Sequence, residues 1–117
     1  MALPAELPLD ILYGTDAWID GTVTDGAGVA VDLTLPGVAL EFDVKPSVTA
    51  PSTVLTKTIG AGIVANADGT YSVHVGNTDR TLLLPAVYAY AIVYTDPDGN
   101  QAVVARGRLG VVGNARS

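Results

Sequence analysis

Residues 87–99, VYAYAIVYTDPDG, set a period-two segment directly against a tight turn. Tyr88, Tyr90 and Tyr94 stand at even spacing, which puts them on one side of a β-strand and Val87, Ala89, Ala91 and Val93 on the other. A strand apolar on both sides is either central with its back covered or part of an assembly interface. DPDG then carries proline at the second turn position and glycine at the fourth, as a type I turn with a bulge requires. This hairpin, closing onto QAVVARGRLGVV at 101–112, excludes a helical reading of the C-terminal third.

The same alternation recurs upstream. In VALEFDV, 38–44, Val38, Leu40, Phe42 and Val44 face one way and Ala39, Glu41 and Asp43 the other, the pattern of a half-buried antiparallel strand. TYSVHV at 70–75 points Tyr71, Val73 and Val75 inward. LDILY at 9–13, AWIDGTV at 17–23, STVLTKT at 52–58 and GIVA at 62–65 complete the set, with TDGAG, GAG and NADG as turns between them. About seven or eight short strands and no convincing helix predict an all-β, Ig-like antiparallel sandwich over 9–112. MALPAELP, 1–8, reads as an extended N-terminal arm carrying Leu3 and Leu7, and 113–117 as a C-terminal tail.

The chain has 117 residues, enough for one domain with a real core. Charged residues make up only 15 % of it, against roughly a quarter in an ordinary soluble domain. A chain so poor in charge has much apolar surface to place against itself or against partners. With a net charge of −6 and scattered basic residues, it lacks the clustered cations that a nucleic-acid backbone needs. Arg106, Arg108 and Arg116 read as exposed residues of the last strand and tail. The absence of cysteine excludes a disulfide staple, a thiolate metal site and a cysteine nucleophile. The first residues lack the basic start of a signal peptide, and no apolar run approaches the ~18 residues of a membrane span. These features lead us to expect no membrane partner and synthesis in a cytoplasm.

No stretch presents catalytic chemistry. GAGIVA, 60–65, fits Gly-x-Gly-x-x-Ala, but a dinucleotide site needs a helix after the glycines, and a turn and strand are expected here. Asp96, Asp98 and Asn100 alternate as at the start of a calcium loop, yet Gly99 falls at the fourth position and not the sixth, which favours the hairpin. His74 is the only histidine, on the outward side of its strand, with no second histidine or cysteine to complete a triad or metal site. Ser47, Ser52, Ser72 and Ser117 lie in no nucleophile-elbow context. Glu41 and Asp43 alternate with apolar residues as a solvated strand face does. The expectation is a non-enzyme with no cofactor and no metal. Trp18, the only tryptophan, reads as core, with ligand stacking as the alternative.

LLLPAVYAY sets leucines and a proline just ahead of Tyr88, close to the arrangement in which a corner tyrosine turns its hydroxyl to the upstream backbone. Tyr88 is therefore read as corner and Tyr90 as core. VYAYAIVY, DPDGN and VVARGRLGVV together resemble the closing strands of small Ig-like structural proteins of tailed-bacteriophage virions. The Gly14–Asp16 step and VDLT at 31–34 before VALEFDV resemble the first hairpin of the same family. Ala86 and Ala91 differ from the glycine and the acidic residue often found there. The resemblance, over roughly 9–112, implies a non-enzymatic virion part of tail, baseplate, fibre-attachment or capsid-decoration type. It would bind other virion proteins and form homo-oligomers. The interface residues expected on this reading are Val87, Ala89, Ala91 and Val93, with Leu3 and Leu7 of the arm. A carbohydrate- or surface-binding module using Trp18 and the tyrosines, and an adhesin module, are the alternatives.

Overall fold

The computed structural model describes residues 5–6, 9–12, 16–25, 27–47, 49–50, 52–76, 79 and 85–112. Among them the chain forms strands β1 (Ala5–Glu6), β2 (Leu9–Leu12), β3 (Ala17–Thr22), β4 (Ala39–Lys45), β5 (Leu55–Ile59), β6 (Gly62–Ala65), β7 (Thr70–Val75), β8 (Ala86–Thr95) and β9 (Gln101–Val112). The all-β expectation holds, and seven strand assignments fall within two residues of their bounds. STVLTKT differs: pairing begins only at Leu55, after the polar Ser52 and Thr53. Leu3 and Leu7 lie outside the described residues. Ala5 and Glu6, within the segment read as an extended arm, pair parallel with Ala105 and Arg106, in the register that β2 continues from Leu9 opposite Leu109.

The strands make one continuous sheet in the order β1-β9-β8-β4-β5-β6-β7-β3, with β2 beside β1 on the β9 edge. Two separate sheets were expected. The join is a two-residue parallel pairing of β5 with β6, Thr58 to Gly62 and Ile59 to Ile63, on either side of a tight turn. The sheet curls until its two edges, β2 and β3, face each other across a cleft of about 380 Å³, so that it is a nearly closed barrel. Twist accumulated strand by strand produces this curl.

Inward positions follow the alternation. Leu40, Phe42 and Val44 of β4, Tyr71, Val73 and Val75 of β7, and Tyr90 and Ile92 of β8 are buried in one core, joined by Leu55, Ile63, Leu109 and Val111. Phe42 lies opposite Ile92, with its ring 5.8 Å from that of Tyr90. Tyr71 lies across from Gly21 and its hydroxyl rests on that residue, where a Cβ would collide with the phenol. The glycine lets the ring cover the backbone at the sheet's edge. Tyr88 is half-buried against the core, as read. The upstream backbone that a corner hydroxyl would reach, residues 81–84, lies outside the described residues.

Carboxylates brace the turns. Asp96 accepts the N–H groups of Asp98 and Asn100, both at 2.9 Å, while the Gly99 N–H donates to the Asp96 carbonyl at 3.0 Å. Gly99 takes a φ of 91°, which closes the hairpin as a turn with a bulge glycine. Asp32 accepts the hydroxyl and N–H of Thr34, and Asp68 those of Thr70. The hydroxyl bonds first, then the backbone bonds, hold Asp32 and Asp68 below the usual carboxylate value, and the Asn100 N–H does the same for Asp96. A carboxylate whose folded-state pKa is depressed stabilises the fold above its unfolded pKa, and that contribution is lost as pH falls through the folded value. The thermal midpoint should therefore fall on acidification below about pH 4, the unfolded carboxylate range. D96N, whose side-chain oxygen accepts the two backbone N–H bonds without charge, should lose less on acidification than the parent. Equal acid loss in both proteins would show that the turn carboxylate does not titrate with folding.

Candidate functional site

The strand β8 sits between β4 and β9, so its outward side chains form the centre line of a three-strand face. Val87 is 60 % exposed there, with Ala89, Ala91 and Val93 partly exposed behind it. No described element covers them. The structure thus brings together the four β8 residues that the spacing singled out, on the side opposite Tyr88, Tyr90 and Ile92.

The flanking strands supply charge. Opposite Ala91 stand Asp43 on β4 and Arg106 on β9, and opposite Ala89 stand Lys45 and Arg108. Val93 lies between Glu41 and Val103. The result is a shallow depression of about 540 Å³, floored by Ala89 and Ala91 and walled by Asp43, Lys45, Val103 and Arg106. The small floor residues make the hollow, since each alanine lies between longer side chains on both neighbours. Asp43 accepts the Thr56 hydroxyl at 3.0 Å. The charge of Asp43, then burial, raise the Glu41 carboxyl above its ordinary value.

A β-bulge decides which β9 residues reach this face. Pairing shifts between Ile92, opposite Ala105, and Val93, opposite Val103, so that Val104 has no cross-strand partner. Val104 and Ala105 both turn toward the interior, and Val103 and Arg106, three positions apart, both point outward. Read in strict alternation, 101–112 does not place those two side chains together. Asp43, Lys45, Val103 and Arg106 are the site residues that the sequence reading left out.

Trp18 does not lie in the core. It is 59 % exposed and stacks on His74 across the strand pair, ring centroids 4.4 Å apart and planes inclined by 21°. The reason is local: Ala17 and Ile19 face inward, which forces Trp18 out beside Asp20. The His74 Nε2 lies 3.4 Å from the Asp16 carboxylate. The acid at Asp20 marked this side as the wet one. Tryptophan emission in the native protein should be quenched by acrylamide nearly as well as in the unfolded chain. Strong protection from the quencher would return Trp18 to the core.

The other groups weighed for chemistry fall on turns and outer faces. Gly60 precedes β6 and Gly62 opens it, so no helix N-terminus stands behind these glycines. Both Asp96 oxygens accept bonds from within the hairpin, one from the N–H groups and one from the Asn100 amide. Among the described residues no three acidic or histidine side chains converge as metal ligands would. Comparison with protein-family models gives no match for this chain, and a search of curated proteins gives none either.

Proposed function

We propose that the protein is a non-enzymatic assembly protein that docks other proteins on the outer face of β4, β8 and β9. The observation that carries this reading is the uncovered apolar line Val87, Ala89, Ala91 and Val93 at the centre of that face. Apolar residues along a strand's outward side stabilise nothing until a partner removes them from water. Val103 and Val112, on the same face, are also exposed, so the apolar surface runs on into β9.

The finer fold on this reading is an Ig-like sandwich whose two layers stay joined. Divided at the short β5–β6 link, the strand order gives β9-β8-β4-β5 and β6-β7-β3. The G-F-C and D-E-B neighbours of Ig-like domains have that arrangement. Together with the tyrosine strand and its hairpin, this supports the resemblance to structural proteins of tailed-phage virions. The protein would then be made in a host cytoplasm and carried in the particle, against capsid, tail or baseplate proteins, with neither nucleic acid nor membrane as its partner. Mass spectrometry of purified particles tests the reading. Recovery in stoichiometric amount is expected, and its absence from particles whose genome encodes it would overturn the assignment.

A second reading, a carbohydrate- or surface-binding module, draws on exposed Trp18. Glycan-array binding lost in Trp18→Ala would favour it. An array without signal for the parent protein removes it.

A further inference from the structure

Beside Ala91 and Val93 the β4 side carries only carboxylates, while Lys45 adds a cation on that side opposite Ala89. Viewed along β8, the carboxylates Glu41 and Asp43 lie on the β4 side and the guanidinium groups of Arg106 and Arg108 on the β9 side. We propose that this face binds a second copy of the chain, face to face about a two-fold axis running along β8, so that Asp43 of each copy meets Arg106 of the other. The proposal rests on the reading of this face as a docking surface and names its occupant.

A two-fold interface places one patch against itself, so every contact occurs twice and the patch must complement its own rotated image. An axis along β8 exchanges left for right across the strand, which lays each β4 on the other copy's β9. Asp43 and Arg106 share a row with Ala91, so both opposite-charge contacts form at once while Ala91 packs on Ala91. An axis across the strands through Ala91 would bring Lys45 onto the other copy's Glu41, but it would set Asp43 on Asp43 and Arg106 on Arg106 beside the alanine floor, and like charges so placed cost several kcal/mol.

Local features fit the same arrangement. The alanines let two sheets approach closely over the centre, and the flanking Val93 and Val103 supply apolar area beside the charges. Aligned sheets pack with a rotation of about 30°, which swings Glu41 toward the same guanidinium. A second copy's arginine there offsets the repulsion between Glu41 and Asp43. At the other end Lys45 would face Arg108, but Arg108 already lies 3.5 Å from the Asp10 carboxylate of its own chain.

Sedimentation of the full chain with two charge variants tests the geometry. The parent should dimerise, and D43R or R106D alone should weaken dimerisation at least about ten-fold, since each then sets like charges in contact twice. Mixed in equal amounts, the two variants should recover a heterodimer, because one copy carries both arginines and the other both carboxylates. Failure of the mixture to associate overturns the register, as does a parent that stays monomeric up to about 1 mM. Single variants that dimerise like the parent overturn it too. Circular dichroism establishes that each variant is folded; if D43R is not, Ala91→Arg, which leaves both charges in place, must give a monomer. Incorporation of Ala91→Arg into particles is read separately. Loss of incorporation with a monomeric parent keeps the docking face and removes the dimer, whereas normal incorporation removes the docking face itself.

Discussion

Replacing Phe42 with alanine lowers the unfolding free energy by about 3–5 kcal/mol, a large share of the roughly 5–15 kcal/mol that holds a domain of this size. Phe42 is fully buried, at 0 % exposure, in the middle of β4. Its ring meets Tyr90 in a tilted pair and lies opposite Ile92. Truncation removes the ring's transfer free energy and leaves a hole between strands that are hydrogen-bonded on both sides, so the site collapses poorly. The thermal midpoint should fall on the order of 15 °C. Trp18→Ala is the matched control: a larger aromatic, 59 % exposed on an outer face, whose loss should cost under about 1 kcal/mol. Similar losses for the two variants would mean that the core and outer faces have been exchanged, which a one-residue slip of register would produce.

Phe42 is also a fair measure of what the sequence discloses. VALEFDV places one aromatic among alternating acids, and burial followed that alternation residue by residue through β4 and β7 and at Tyr90 and Ile92 in the middle of β8. The inward tyrosines and the exposed alanine side of β8 were legible for the same reason. Three things were not. Trp18 was read by its size, although Ile19 and Asp20 beside it already fixed its side. The bulge at Val104 depends on pairing with β8, and nothing in 101–112 alone announces it, so Arg106 and Val103 could not be joined to the alanine floor. The single curled sheet depends on two residue pairs between β5 and β6, a contact across a tight turn that alternation within each strand does not encode. What period two conveys is a face. Which strands share that face is set by pairing between distant segments.

The same limit hid a part-buried charged pair, and its removal should be the second large loss. Asp79 is 9 % exposed and accepts the Gly76 N–H at 2.8 Å. Lys57 of β5 reaches it across the sheet, with Nζ at 3.0 Å from one carboxylate oxygen and 3.1 Å from the other. In sequence Lys57 looks like one polar residue of an edge strand, because its partner lies beyond β6 and β7. Lys57→Met leaves the Asp79 carboxylate buried without its cation, and breaking one side of such a pair costs roughly 3–5 kcal/mol. The residual solvent contact of both groups puts the expected value at the lower end of that range. The urea midpoint should fall by about 1 M or more, and salt should change the parent's stability little, since a pair this enclosed is weakly screened. Adding Asp79→Asn to Lys57→Met should recover most of the loss, because the amide keeps an acceptor for Gly76 and no charge remains to be paired. The reverse single change is milder: with Asp79→Asn alone, the Lys57 stem is long enough to carry its ammonium to water. If Lys57→Met and the double variant unfold at the same urea concentration, the carboxylate was never dependent on its lysine and the pair is a surface contact. If Lys57→Met falls and the double variant recovers, the turn after β7 is tied to β5 by charge, and the narrow β5–β6 link is reinforced where its own hydrogen bonds are fewest.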